Sequence, residues 1–368
     1  MKKGICFILI FGVLVCIFQF NCYAEQEQKL SGNENNKIEI PYFMPEGKNI
    51  REVINNKIYI TECLYGNYII PDKIYFSDGE VNLIKEICIF PKKEKRKKRI
   101  NVKIFHSPKG KYIAFKIKYE IPTDKNDKNG YYYDNGYFKL KKEFKIFNEK
   151  GEIVFKGEVD DFTEIFLTDE GRLIIAYLHQ GFIKIFMING KYIKQTKLSD
   201  WKEIPYPEEE HLIFPTITMS QNGRYLVISR SSSLFDKNKI CELMLIDIEG
   251  NIIWKKVDKG KANQFEGITR GHVNISRTGK YIISSRYDVI SGNPYETGTG
   301  KYELKIEVFN NSGKLLWKMV IDKEGTVESD FTNDEEILKV WTNTGKEYIF
   351  EIKSGKIISE KIKEKQNK

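Results

Sequence analysis

The chain has 368 residues, 41% hydrophobic and 30% charged, which is long enough for one large or two ordinary globular domains and too apolar for wholesale disorder. The formal charge is +9, and without Lys2 and Lys3, which carry all the charge of the first 24 residues, it is +7. So modest an excess over so long a chain excludes a nucleic-acid-binding composition.

Residues 1–24 read as a secretory signal: Lys2 and Lys3, an apolar run from Ile5 to Phe18, then Cys22-Tyr23-Ala24 with small residues for signal peptidase. The mature chain is expected to begin near Glu25 and to be exported to the periplasm, the cell envelope or the extracellular space. An uncleaved anchor is the competing reading, but the run is shorter than the ~20 residues a spanning helix needs. Cys6, Cys16 and Cys22 leave with the signal, and the remaining Cys63, Cys88 and Cys241 cannot all pair within one molecule. Cys63 and Cys88 either form one disulfide or stay as buried thiols.

Residues 25–368 are organised by internal repetition. One unit is an apolar strand, a Ser/Thr turn containing Gly, and a second apolar strand: IFHSPKGKYIAFKI (104–117), IFLTDEGRLIIAYL (165–178), ITMSQNGRYLVISR (217–230) and VNISRTGKYIISSR (273–286). Weaker copies occupy Phe331–Trp341 and Asn55–Ile60, and Gly110, Gly171, Gly223 and Gly279 recur at separations of 61, 52 and 56 residues. A second unit alternates with the first: KIYFSDGEVNLI (73–84), EFKIFNEKGEIVFK (143–156), FIKIFMINGKYIKQ (182–195), LMLIDIEGNIIWKK (243–256), KIEVFNNSGKLLWK (305–318) and YIFEIKSGKIISEK (348–361). Each joins β-branched and aromatic runs through a short turn with glycine, which is hairpin chemistry, and no helical periodicity competes with it.

Two alternating hairpin types in six copies imply units of four antiparallel strands. The pattern resembles the β-propeller repeat families of the WD-repeat-like and PQQ-like kind. The Ser-x-x-Gly-Lys-Tyr turn resembles the first, and Ile246-Asp247-Ile248-Glu249-Gly250-Asn251-Ile252-Ile253-Trp254 resembles the strand, Gly turn and Trp of the second. The recurring Gly-His and Trp-Asp signatures of true WD repeats are lacking: Gly271-His272 stands alone and no Trp-Asp occurs. The expected fold is therefore an all-β, single-domain propeller of six blades, with five- or seven-bladed rings or a pair of β-sandwiches as alternatives. Lys37–Phe43 would supply an extra edge strand that closes the ring.

With the strands of a blade lettered a to d from the axis outward, the glycine turns are the a–b and c–d connections and lie on one face. The opposite face receives the long connections: 120–137, 231–241 and 286–302 between strands b and c, and 91–99, 200–214 and 259–270 between blades. Loops on a rigid scaffold are where recognition usually sits. This face collects Tyr131, Tyr132, Tyr133, Tyr137, Trp201, Tyr206 and Tyr295, which either contact a partner or pin their loops to the blades.

Arg230 and Arg286 each stand seven residues after a turn glycine, and Thr216 and His272 seven before one. The arginines either converge above the ring on an anionic group, with Thr216 and His272 starting innermost strands near the channel mouth, or all four are strand-end residues hydrogen-bonded to neighbouring blades. Lys92, Lys93, Lys95, Arg96, Lys97, Lys98 and Arg99 form a basic loop interrupted by Glu94, suited to an anionic lipid, a cell-wall polymer or an acidic protein, or simply solvated. Nucleic acid is not an expected partner, because export removes the chain from it and no stacking pattern accompanies the run.

No cofactor or metal is expected. His106, His179, His211 and His272 lack zinc-site spacing, and Asp124–Gly130 fails the calcium-loop register because Lys128 and Asn129 fall at its fifth and sixth positions. No nucleophile elbow, P-loop or dinucleotide fingerprint occurs. The leading expectation is an exported, non-catalytic propeller that binds a protein or cell-envelope component through its long-loop face. The alternative is a channel enzyme, either a hydrolase or lyase, or a quinone-dependent dehydrogenase suggested by the PQQ-like pattern.

Overall fold

The computed structural model describes residues 49–54, 57–65, 68–77, 83–88, 100–123, 130–133, 136–159, 163–178, 180–198, 216–231, 240–259, 268–291, 301–322, 327–342 and 344–362, all within the compact unit Asn49–Lys368. Among these residues the regular structure is entirely β. The first sheet is β1 (Asn49–Ile54), β2 (Ile58–Tyr65), β3 (Tyr68–Ser77) and β4 (Leu83–Cys88). The second is β5 (Ile100–His106), β6 (Tyr112–Pro122), β8 (Gly136–Asn148) and β9 (Ile153–Gly157), with a short β7 (Gly130–Tyr133) hydrogen-bonded to the start of β8. The third is β10 (Glu164–Leu167), β11 (Arg172–Tyr177), β12 (Phe182–Met187) and β13 (Tyr192–Lys197), and the fourth β14 (Thr216–Met219), β15 (Tyr225–Ser231), β16 (Ile240–Asp247) and β17 (Ile252–Lys259). The fifth is β18 (Ile268–Ile275), β19 (Tyr281–Ser291), β20 (Lys301–Asn310) and β21 (Leu315–Asp322), and the sixth β22 (Val327–Phe331), β23 (Ile337–Thr342), β24 (Lys346–Glu351) and β25 (Ile357–Ile362). This is a six-bladed β-propeller. Every hairpin copy read from the sequence is an a–b or c–d hairpin of a blade.

Two local devices make those hairpins. In the c–d turns the register shifts by one residue just before the turn in all six blades, as between Leu245 and Ile246 or Val308 and Phe309. That is the bulge in which a left-handed residue closes the turn, and Gly313, at φ +80°, fills the position without a Cβ clash. In the a–b turns a Ser or Thr hydroxyl accepts the backbone N–H at the start of strand b: Tyr112 N to Ser107 Oγ, Tyr225 N to Ser220 Oγ, Tyr281 N to Ser276 Oγ and Ile337 N to Thr332 Oγ1, each at 3.1 Å. The recurrent Ser/Thr is thus a turn-closing acceptor for a donor that the bend would leave unsatisfied.

Blades stack through both faces. Side chains alternate along a strand, so a strand buried on both sides reads as continuously apolar. Along β6, Ile113, Phe115 and Ile117 pack with Ile58, Ile60 and Phe76 of the first blade, while Ala114 joins Ile165 and Leu173 of the third. The same division gives one apolar cluster at each interface from the first pair of blades to the fifth. Each fully buried Ile, Leu or Phe in them contributes about 1.5–3 kcal/mol of transfer free energy.

A directional joint reinforces the stack. Trp254 on β17 donates from Nε1 to Asn311 O in the next blade's c–d turn at 3.1 Å, and Trp317 on β21 donates to Ile352 O at 2.6 Å. A Cβ at Gly313 would lie 2.8 Å from Trp254 Cγ, and one at Gly355 2.6 Å from Trp317 Cδ2. Lys85 Nζ to Gly151 O at 2.7 Å and Thr196 Oγ1 to Gly250 O at 2.6 Å make equivalent links.

Several expectations meet the described residues differently. Much of the long connections 120–137 and 286–302 is strand, because β6, β8, β19 and β20 continue their pairing past the blade and β7 adds to β8. Tyr131, Tyr132 and Tyr133 therefore lie on β7, and Tyr137 on β8. The signal, Lys37–Phe43 and the side chains of Cys63 and Cys88 lie outside what is described; Cys241 is a buried thiol.

Candidate functional site

The first strands of successive blades touch along the axis, as β5 with β10, β14 with β18 and β18 with β22. Counting back seven residues from the a–b turn position (Gly110, Gly171, Gly223, Gly279, and Glu335 in the sixth blade) gives Lys103, Glu164, Thr216, His272 and Glu328. The matched pair Thr216 and His272 thus belongs to a layer of polar groups contributed by five blades. Lys103, Glu164 and Glu328 escape a search for repeated residue types because the layer keeps polarity and changes chemistry; aligning the turns alone recovers them.

Neighbours in this layer sense one another. Burial holds the Glu164 carboxyl above its ordinary value, against the opposing pull of Lys103 and Lys116, which are themselves cross-strand partners. Burial pushes the His272 imidazole down to about 4, with Glu328 opposing. His272 Nε2 lies 2.9 Å from Ser329 Oγ on the next blade, and Asn274 Nδ2 donates to Ser329 O at 2.7 Å. The innermost strands of the fifth and sixth blades are therefore joined by polar contacts, and a pKa of about 4 keeps the imidazole neutral at physiological pH.

Five residues before the turn position a second set appears: Phe105 and Phe166 in blades two and three, Thr218, Asn274 and Asp330 in blades four to six. On the tight-turn side, Pro108 Cγ lies 3.1 Å from where a Cβ at Gly223 would stand, so turns of the second and fourth blades meet. Blades four to six instead leave a cavity of about 220 Å³, lined by Thr218, Gln221, Asn274, Arg277, Asp330 and Asn333 together with Met219, Ile275, Phe331 and Thr332.

Arg230 and Arg286 both stand beside carboxylates, Arg230 within its own blade and Arg286 also across to the preceding one, so the contact to a neighbouring blade expected of both is made by Arg286. Arg230 is 1% exposed and faces Glu242 across the b–c pair at 3.4 Å, and Lys255 reaches the other oxygen of Glu242 at 2.6 Å. Burial lowers the Arg230 pKa, with Glu242 opposing. Arg286 lies 3.6 Å from Glu307 and 3.9 Å from Asp258 of the preceding blade, and Lys256 joins both carboxylates at 3.7 Å. Trp201, Tyr206, Tyr295 and the basic run from Lys92 to Arg99 lie outside the described residues. Among the described residues no group of three His, Cys, Asp or Glu side chains is placed to hold a metal ion.

The sequence matches no protein-family model and no curated protein. Among solved structures it is similar to the β-propeller domain of Cps50 (Swd1) from Myceliophteria thermophila, at 12% identity over 85% of each chain with a TM-score of 0.38. It is also similar to Hsv2 from Kluyveromyces lactis, at 14% identity over 82% of this chain and 73% of that one, with a TM-score of 0.39.

Proposed function

We propose that the protein is an exported propeller that binds a protein or an anionic cell-envelope component through the face carrying its b–c connections. The reading takes residues 1–24 as a cleaved signal and 25–368 as the mature single-domain propeller. The observation that carries it is the unequal length of the b–c hairpins. Strands β6 and β8 have 11 and 13 residues and β19 and β20 have 11 and 10, whereas β11, β12, β23 and β24 have six each. Five extra residues at ~3.4 Å each project a ribbon about 17 Å beyond the blade. Strands β6 and β8 stay in register without a bulge from Tyr112↔Asn148 to Pro122↔Phe138, so the ribbon is continuous with its scaffold. Recognition gains from such pre-organisation, because less conformational entropy is lost on binding.

The PQQ-like feature has a structural role that needs no quinone: Trp254 and Trp317 join blades. Crosslinking capture from the source cell envelope, with the parent chain beside a variant lacking residues 120–137, tests the proposal. A partner recovered by the parent and lost by the folded variant is the expected result. An unchanged set of captured molecules would overturn it.

A further inference from the structure

Arg230 and Arg286 each meet a carboxylate within 4 Å. The cavity between blades four, five and six departs from that rule. Arg277 and Asp330 both line it, both are exposed, and among the described residues neither has an ion-pair partner. Opposite charges that share a cavity without closing on each other leave room for a ligand that carries both signs. Asp330 commits Oδ1 to Phe331 N at 2.8 Å, within its own strand. Asn274 is spent on the wall: its Nδ2 donates to Ser329 O at 2.7 Å and its Oδ1 accepts Ile275 N at 2.8 Å. Thr218, Gln221 and Asn333 add a hydroxyl and two amides around the charges.

We propose that this cavity binds a small zwitterion of the α-amino-acid class, with Arg277 taking the carboxylate and Asp330 the ammonium group. A volume of about 220 Å³ lies below the ~300–1,000 Å³ of drug-sized sites and limits the ligand to a few heavy atoms. A guanidinium fork matches a carboxylate in two parallel bonds, and a carboxylate accepts an ammonium group in charge-assisted bonds. The lining is contributed by three repeat-equivalent strand ends, at the opposite end of the channel from the projecting ribbons.

Isothermal titration of the purified chain with each of the proteinogenic L-amino acids tests the proposal, at up to ~10 mM so that even a Kd of about 1 mM saturates. Two matched probes are run beside L-alanine: L-alaninamide, which lacks the anion, and L-lactate, which lacks the cation. At least one amino acid is expected to bind saturably, and neither single-charge probe to do so. Arg277→Gln and Asp330→Asn, at exposed side chains, are each expected to weaken that binding about tenfold or more, since a lost charged hydrogen bond is worth about 1.5–3 kcal/mol. Their thermal unfolding should match the parent. Absence of saturable binding by every amino acid, equal binding of L-alaninamide or L-lactate, or undiminished binding by both folded variants would overturn the proposal.

Discussion

Replacing Glu242 by alanine is expected to be among the most damaging single changes in the fourth blade. Arg230 is 1% exposed and the Glu242 side chain 3%, so the substitution strips a buried guanidinium of the carboxylate that faces it. Breaking a buried pair from one side costs about 3–5 kcal/mol, because the remaining charge keeps its desolvation penalty. Lys255, with 25% of its side chain exposed and a second bond to Leu198 O at 2.8 Å, retains access to water and adds little. Unfolding entropy of roughly 2.1 cal/mol/K per residue over roughly 300 residues converts that loss to a fall in Tm of about 5–8 °C. Thermal unfolding followed by circular dichroism measures it, with Glu242→Ala compared against the double change Arg230→Met with Glu242→Leu. The double variant is expected near the parent, since apolar groups of similar size replace a buried pair at little net cost. A single variant within about 1 kcal/mol of the parent, or a double variant as unstable as the single, would refute this account of the pair.

Three further outcomes are expected. Gly313→Ala places a Cβ 2.8 Å from Trp254 at a residue with φ +80°, and should destabilise by about 2–3 kcal/mol in chemical denaturation; Trp254→Ala in the same background should relieve the contact part of that loss. The folded pKa of His272, about 4, lies below its ordinary 6.5, so the unfolded chain binds the proton more tightly and stability falls as pH drops from 6.5 towards 4. Melting curves across that window should show a shallower slope for His272→Gln, and an unchanged slope would remove His272 as the source. Glu335 occupies the turn glycine's place at φ +58° and its carboxylate accepts Thr278 N at 2.5 Å and Thr278 Oγ1 at 2.7 Å. Glu335→Ala keeps the strained backbone and loses the link, whereas Glu335→Gly loses only the link, so the glycine variant should be the more stable by about 1 kcal/mol in the same denaturation assay.

The hairpins were legible because their determinants are local. A turn glycine, or Glu335 in its place, a Ser or Thr three residues before it, and β-branched runs on either side belong to one short stretch of chain, and the bonds of Ser107, Ser220, Ser276 and Thr332 show what each hydroxyl does there. The partners of Arg230 and Arg286 were less legible, because they follow from cross-strand register and from the neighbouring blade: Glu242 is opposite Arg230, but Asp258 reaches Arg286 only through stacking. The cavity residues Thr218, Arg277 and Asp330 gave no local signal, since three polar side chains become a site only when strand ends far apart in sequence are brought together. The same holds for Glu164, whose raised pKa comes from burial against strands distant in sequence.

The joint between blades has a front and a back. Trp254 and Trp317 project forward from an outer strand, and the glycines that receive them, Gly313 and Gly355, sit on the following unit. Contacts of this head-to-tail kind do not count their own members; the rotation at each joint decides where such a series ends. Were the fifth unit duplicated or lost, a tryptophan would therefore again meet a turn glycine at the new joint.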